Sequence, residues 1–221
     1  MQIPFPTPDE NAVKAMNKAW SRHRLDKYLQ RWDGSIIPEA PADFLVYKKR
    51  AVDVGCGFGK HLINQCQHQT DWGFLGIDKG SLRGGSMIKR FQQQNCPNLF
   101  GLHGNAIPIM AGMPDNSLDL ITIFYPNPWW PAKHRKKRWS YHPLLPKLVS
   151  LLRSGGQILL TSNEDFYLGE WEYALKHHPE AKDVMEHVYS GPINVEEGRS
   201  HFETKFLEEG TPCGEVVFQK K

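Results

Sequence analysis

The sequence holds no run of about 18 consecutive apolar residues, so it predicts no membrane-spanning helix. Its start, Met-Gln-Ile-Pro-Phe-Pro, lacks the basic residues and apolar stretch of a secretion signal, and a cytoplasmic location is expected. Cysteine is scarce. Cys56, Cys66, Cys96 and Cys213 include no C-x-x-C pair, which argues against a zinc knuckle or a disulfide framework and for four unpaired thiols in a reducing compartment. No metal is expected. Repeats and low-complexity tracts are also missing. Neither sign of charge dominates: 27 Lys and Arg against 24 Asp and Glu leave +3, so distribution must say more about partners than the total does. What is present is a chain of 221 residues with 40% hydrophobic and 23% charged residues, enough for a packed core and one domain with decoration.

Thr7-Pro8-Asp9-Glu10 reads as a helix start with Thr7 as cap, followed by Ala12, Val13, Met16, Ala19 and Trp20 at helical spacing. The helix is expected to continue through a basic and aromatic stretch, Arg22–Trp32. Asp33-Gly34, Pro38 and Pro41 mark a linker. Residues 1–45 are therefore expected to form a helical extension, and residues 46–221 the main domain. In the latter, short apolar runs alternate with helical patterns. Ala51–Val54, Gly73–Ile77, Asn98–Leu102, Leu118–Phe124 and Gln157–Thr161 read as strands. Lys60–Gln69, Leu82–Gln94, Pro143–Leu152 (ended by Ser154-Gly155-Gly156) and Asp165–Lys176 read as helices. Val184–Tyr189 and Glu215–Phe218 read as a closing antiparallel pair. The alternation predicts an α/β fold with a mostly parallel seven-stranded sheet and helices on both faces.

The strongest local signal is Val52-Asp53-Val54-Gly55-Cys56-Gly57-Phe58-Gly59, a strand running into a glycine turn and then a helix. Gly55, Gly57 and Gly59 allow positive φ and close approach of a ligand to backbone. Asp78 ends the next strand, where a carboxylate can take the two hydroxyls of a ribose. A dinucleotide site wants G-x-G-x-x-G and bare N–H groups for its pyrophosphate. Here the third glycine comes one residue early and Asp53 precedes the turn. S-adenosylmethionine has no phosphate and carries an amino group that an acid would suit, so the pattern favours a methyl donor over a nicotinamide dinucleotide. Asn105-Ala106 follows the third strand, in position to read an adenine edge.

Phe124-Tyr125-Pro126-Asn127-Pro128-Trp129-Trp130-Pro131 lies at the carboxyl end of the fourth strand, the edge where open α/β sheets bind ligands. Asn127 offers donors and an acceptor, and Trp129 or Trp130 a flat face for a base. Immediately after come Lys133, His134, Arg135, Lys136, Lys137 and Arg138, a basic run suited to phosphates or else to a solvated face.

At these residues the sequence resembles the bacterial tRNA (guanine-N7-)-methyltransferases, over about residues 50–218. Their glycine turn is similar to Asp53–Gly59. Their Pro-Asp-Pro-Trp-Pro and following basic run resemble Pro126–Arg138. Their Thr-Asp after the fifth strand aligns with Ser162-Asn163, and their Thr-Lys-Phe-Glu with Thr204-Lys205-Phe206-Leu207, Gly210 being in register. The resemblance implies a Rossmann-like class I methyltransferase with S-adenosylmethionine as cofactor, on Asp53, the three glycines, Asp78, Asn105 and Ala106. It implies Asn127 and Asn163 as the catalytic pair. Pro128, Trp129, Trp130, Lys133, Arg135, Lys136, Lys137, Arg138, Thr204 and Lys205 would contact a tRNA substrate. Three family acids become Asn127, Asn163 and Leu207, which removes negative charge from the substrate side. Two other readings therefore stay open. One is an N-methyltransferase acting on a small heterocyclic metabolite or an exocyclic amine, since Asn127-Pro128-Trp129 also resembles the Asn-Pro-Pro-aromatic motif of amino-methyltransferases. The other is a non-catalytic RNA-binding protein on a methyltransferase fold. A monomer or weak homodimer is expected.

Overall fold

The computed structural model describes residues 5–22 and 24–221. Met1 to Pro4 of the leading segment, and His23 of the basic stretch, lie outside the described residues. The first helix, α1, is Glu10–Arg22. Its cap is Asp9, whose Oδ1 accepts the Ala12 N–H at 2.6 Å, rather than Thr7. A carboxylate beside the first turn meets the free N–H groups that the more distant threonine does not reach. Met16 and Ala19 go into the main core, and the Trp20 indole donates to the Ser140 carbonyl at 2.9 Å. The expected continuation through Arg22–Trp32 is broken into α2 (Leu25–Leu29) and a tight turn at Gln30–Trp32. Neither buries a residue, so no apolar face holds a long helix together there. A short α3 (Ala42–Leu45) buries Phe44.

The remaining order is β1 (Lys49–Val54), α4 (Lys60–His68), β2 (Trp72–Asp78), α5 (Ser81–Gln92), β3 (Leu99–His103), α6 (Ala106–Gly112), β4 (Leu118–Phe124), α7 (Leu145–Leu151), β5 (Leu152–Ser162), α8 (Asp165–His177), β6 (Met185–Pro192), α9 (His201–Glu208) and β7 (Gly214–Lys220). Seven strands form one sheet in the order β3-β2-β1-β4-β5-β7-β6. All pairs are parallel except those made by β7, which is antiparallel to both β5 and β6. The sheet is the expected mostly parallel, seven-stranded one of an α/β fold, closing antiparallel pair included. From β1 the chain winds outward to β2 and β3, then returns to start β4 on the other side. That reversal opens a crevice above the carboxyl ends of β1 and β4.

Strand alternation divides the interior in two. Val52, Val54, Leu75 and Ile77 join the larger cluster with Ile109, Leu148 and Trp171. Ala51 and Phe74 face a smaller one with Leu62, Met87 and Phe91 from α4 and α5. Asp53 shares a parity with Ala51, so its side chain points toward α4.

Three local expectations differ. Ser154-Gly155-Gly156 does not stop a helix ahead of β5. It lies inside that strand, at an irregularity in the β4 pairing where Gly155 takes φ +78°. The left-handed backbone that a glycine lends to a helix end serves equally for a bulge. A further helix, α6, forms with Pro108 inside it; proline is tolerated in a first turn, whose N–H groups have no helical partner. The four thiols are not all unpaired: Cys66 of α4 and Cys96 before β3 form a disulfide, their Cα atoms 6.1 Å apart. Thirty residues separate them in sequence, and only the packing of α4 beside β3 brings them together. Among the described residues no helix is long and apolar enough to cross a membrane, and no cluster of ligating side chains could hold a metal.

Candidate functional site

The parallel register sets Asp53 opposite Gly76 and Thr122, and Phe124 opposite Thr161. The ends of β1, β2, β4 and β5 thus carry Asp53, Asp78, the 125–131 loop and Asn163 to one edge. At β1 the chain turns through three left-handed glycines: Gly55 at φ +76°, Gly57 at +61° and Gly59 at +79°. Their roles separate. A Cβ on Gly59 would overlap the Phe91 ring, so that glycine lets α4 approach α5. A Cβ on Gly55 or Gly57 would meet nothing within 4 Å, so those two border open space.

Asp78 shapes this turn. Its Oδ2 accepts the Gly57 N–H at 3.0 Å and its Oδ1 the Gly80 N–H at 2.7 Å. Each oxygen keeps a further lone pair for a hydroxyl. Asp53 is 1% exposed, and its Oδ1 has no hydrogen-bond partner among the described residues. Its Oδ2 lies 3.5 Å from Nδ1 of His61, which the α4 helix presents beneath it. A buried, half-unpartnered carboxylate beside open backbone is costly unless a cation meets it. Cys56, inside the turn, is no nucleophile: burial and the nearby Asp53 and Asp78 push its thiol well up from its ordinary value. Asn105 caps α6, its Oδ1 accepting from Ile107 N–H at 3.0 Å, which leaves its NH₂ for a ligand; Ala106 opens the helix.

The aromatic-proline loop leaves β4 under strain, with Tyr125 and Trp129 both at φ +47°, a region costly for bulky residues. Three devices hold it. Asn127 Oδ1 accepts the Trp129 N–H at 3.0 Å. The Tyr125 hydroxyl donates to Glu203 Oε1 at 3.1 Å. Arg138 passes under the loop, its Nε donating to the Pro128 carbonyl at 2.7 Å and its second guanidinium nitrogen to those of Trp129 and Trp130 at 3.0 and 3.3 Å. Its remaining arm pairs with Glu170 at 2.7 Å.

Arg138 therefore departs from its expected place in the phosphate-binding run. It is 6% exposed, with its donors spent on the loop and on Glu170, because a buried carboxylate and three carbonyls together match a guanidinium's fan of donors. Lys133 and Lys136 are exposed and Arg135 half-buried; Lys137 sits 4.1 Å over the Trp129 ring. Trp129 is thereby covered, while Trp130 is 63% exposed.

The two carboxylates that sequence reasoning missed stand at this edge. Glu164, directly after Asn163, accepts the Trp130 indole N–H at 3.1 Å on Oε2 and the Asn163 amide at 3.2 Å on Oε1. Glu203 is fully buried under the loop, gripped by Arg199 at 2.8 and 2.9 Å. Burial opposes its ionisation, but the Arg199 guanidinium and N–H hold the carboxyl below its ordinary range. Ser200 caps α9 by accepting the Glu203 N–H. One helical turn later comes Thr204-Lys205-Phe206-Leu207, the segment that resembles the family's Thr-Lys-Phe-Glu. Leu207, the last residue of that segment, lies at the surface, 37% exposed. Thr204 Oγ1 bonds Lys60 and the Ser200 carbonyl, and Lys205 is an exposed partner of Glu209. A Ser-x-x-Glu capping box was the available sequence signal.

Comparison with known proteins follows from this geometry. A family model described as "Putative methyltransferase" matches residues 47–216. A tRNA (guanine-N(7)-)-methyltransferase of Salmonella typhi is 27% identical over 192 residues, covering 81% of this chain and 79% of the relative. One from a Chelativorans species is 26% identical over 205 residues, covering 88% and 86%. Among solved structures, the 16S rRNA methyltransferase KamB superposes with TM-score 0.54 at 16% identity, over 79% of this chain and 89% of that one. The [4+2]-cyclase SpnF reaches 0.53 at 11% identity, over 100% and 99%, so the likeness at this level is one of fold alone. Glycine turn, orphaned acid, sheet order and family match agree: the chain belongs to this methyltransferase family, as an S-adenosylmethionine-dependent enzyme distantly related to the tRNA (guanine-N(7)-)-methyltransferases.

Proposed function

We propose that the protein methylates N7 of a guanine in tRNA, with Asp53, Gly55, Gly57, Asp78 and Asn105 holding S-adenosylmethionine. The residues fit that cofactor. The unpartnered Asp53 oxygen suits its ammonium, the open faces of Gly55 and Gly57 its methionine portion, and the spare lone pairs of Asp78 its ribose. When bound, it supplies an electrophilic methyl group on a sulfonium. Guanine N7 offers a free lone pair, so no proton must leave before attack and no general base is required. The chain's task is alignment and exclusion of water.

The observation that carries the guanine reading is Glu164. Guanine presents two donors, N1–H and its amino group, on the edge away from N7. A carboxylate matches them; a carboxamide, half donor, does not. The acids absent at Asn127 and Asn163 left that requirement unmet in sequence. Glu164 meets it, with Trp130 as the exposed stacking face and Asn163 fixing the carboxylate. Asn127 supports the loop through its own backbone. The relatives named above act on tRNA guanine, and Lys133, Arg135 and Lys136 suit its phosphates.

The test is transfer of labelled methyl from S-adenosylmethionine to bulk tRNA, followed by digestion to nucleosides. Label in 7-methylguanosine supports the proposal, and Glu164→Gln should then reduce kcat/KM by roughly tenfold to a hundredfold, about 1–3 kcal/mol for a charged hydrogen bond. Label in any other nucleoside, or only in a small heterocyclic amine, overturns it.

A further inference from the structure

The outer face of α1 has no assigned role, and it precedes residues 47–216 that match the family. Met16 and Ala19 turn inward, which leaves Lys18 and Arg22, one helical turn apart, on the exposed side. There they meet a distant part of the chain. Lys18 and Arg22 line one groove of about 280 Å³ with Lys133, Arg135 and Lys136 of the Ala132–Lys137 turn, beside Ala15, Ala132 and Tyr141. Among the described residues no acidic one lines it. Among the described residues none of these five cations is in an ion pair, whereas Lys14, on the same helix, is neutralised by Glu10. Five uncompensated charges in one groove exceed the net +3 of the entire chain. They are held together, too: Arg135 donates to the Asn11 carbonyl at 3.5 Å, joining the turn to α1. Like charges gathered at one place repel unless a polyanion replaces their counterions.

We propose that α1 and the 132–137 turn form a single phosphate-binding groove for the RNA backbone, with Lys18 and Arg22 contacting phosphates remote from the methylated base. This rests on the tRNA reading above. The groove adjoins the base-binding loop through Lys137, which lies over Trp129. Trp130 is not part of its lining, so α1 would set where along the RNA the enzyme seats, not which base it reads.

The experiment uses the full chain with Lys18→Ala and Arg22→Ala combined, and tRNA binding measured across a salt series. Both side chains are exposed, and matching thermal unfolding of variant and parent verifies the fold. Losing two phosphate contacts should lower tRNA affinity about tenfold near physiological salt, and flatten the slope of log K against log salt by roughly 1.4–1.8. KM for tRNA should rise with kcat retained at saturating tRNA, and calorimetric affinity for S-adenosylmethionine should stay at the parent's value. Single Lys18→Gln should give an intermediate slope. If the parent binds and methylates tRNA while the double variant keeps its affinity and slope, the groove assignment is wrong and the tRNA reading stands. If the parent binds no tRNA, both fall.

Discussion

Replacing Arg138 by alanine should cost stability, not RNA affinity. Its guanidinium makes four hydrogen bonds, to the Pro128, Trp129 and Trp130 carbonyls and to Glu170, with both charged partners almost out of solvent. Removing one side of a buried pair strands the other, at about 3–5 kcal/mol. Glu170 keeps two smaller partners, the Tyr141 hydroxyl at 2.9 Å and Ser140 at 3.4 Å, so the lower end, about 3 kcal/mol, is expected. For a chain of this size that is a fall in Tm of roughly 6–12 °C. Released carbonyls also free the strained 125–131 loop, and misplacement by about an ångström can cost on the order of a hundredfold in rate. Urea unfolding followed by tryptophan fluorescence reads the first effect, and labelled methyl transfer the second. Replacing Arg138 and Glu170 together by methionine removes both charges and should recover most of the lost stability. An Arg138→Ala protein that unfolds at the parental urea concentration but binds tRNA more weakly would refute this reasoning and return Arg138 to the phosphate surface.

Gly59→Ala combines a left-handed backbone with overlap on Phe91 and should destabilise by about 2–5 kcal/mol, read by the same unfolding assay; parental stability would mean α4 and α5 are not so closely packed. Gly57→Ala places its methyl in open space at a strain of only about 1–2 kcal/mol, so it should fold yet bind S-adenosylmethionine at least roughly tenfold more weakly by calorimetry. Unchanged affinity would move the donor off this turn. Burial pushes the His178 imidazole down to about 4, and its Nδ1 accepts the Glu180 N–H, as only the neutral ring can. Between pH 6.5 and about 4 the unfolded chain binds a proton that the folded one refuses, so stability should fall with pH by up to about 1.4 kcal/mol per unit. His178→Gln should flatten that part of the stability profile, and an unflattened profile would show that other groups govern it.

Much of the molecule was readable one-dimensionally because its signals are local. Apolar runs of strand length alternating with helical spacing dictate a parallel sheet, and Gly55, Gly57 and Gly59 announce a turn that few other residues can make. Asp53 and Asp78 were legible for the same reason: each ends a strand, and parallel strands deliver their carboxyl ends to one edge. Contacts between segments remote in sequence were beyond such reading. Arg138 looks like its basic neighbours until Glu170, thirty-two residues on, draws it inside. Cys66 and Cys96 carry no motif, and the packing of α4 beside β3 joins them. Glu203 sits among other helix residues of similar pattern, and only its burial under the loop distinguishes it. Lys18 and Lys133 lie over a hundred residues apart, and their common groove exists only because Met16 and Ala19 commit α1 to the core. Local chemistry wrote the elements and the glycine turn; which charges are spent on structure and which are left for a partner was decided by packing, since desolvation acts on a side chain only once its neighbours are in place.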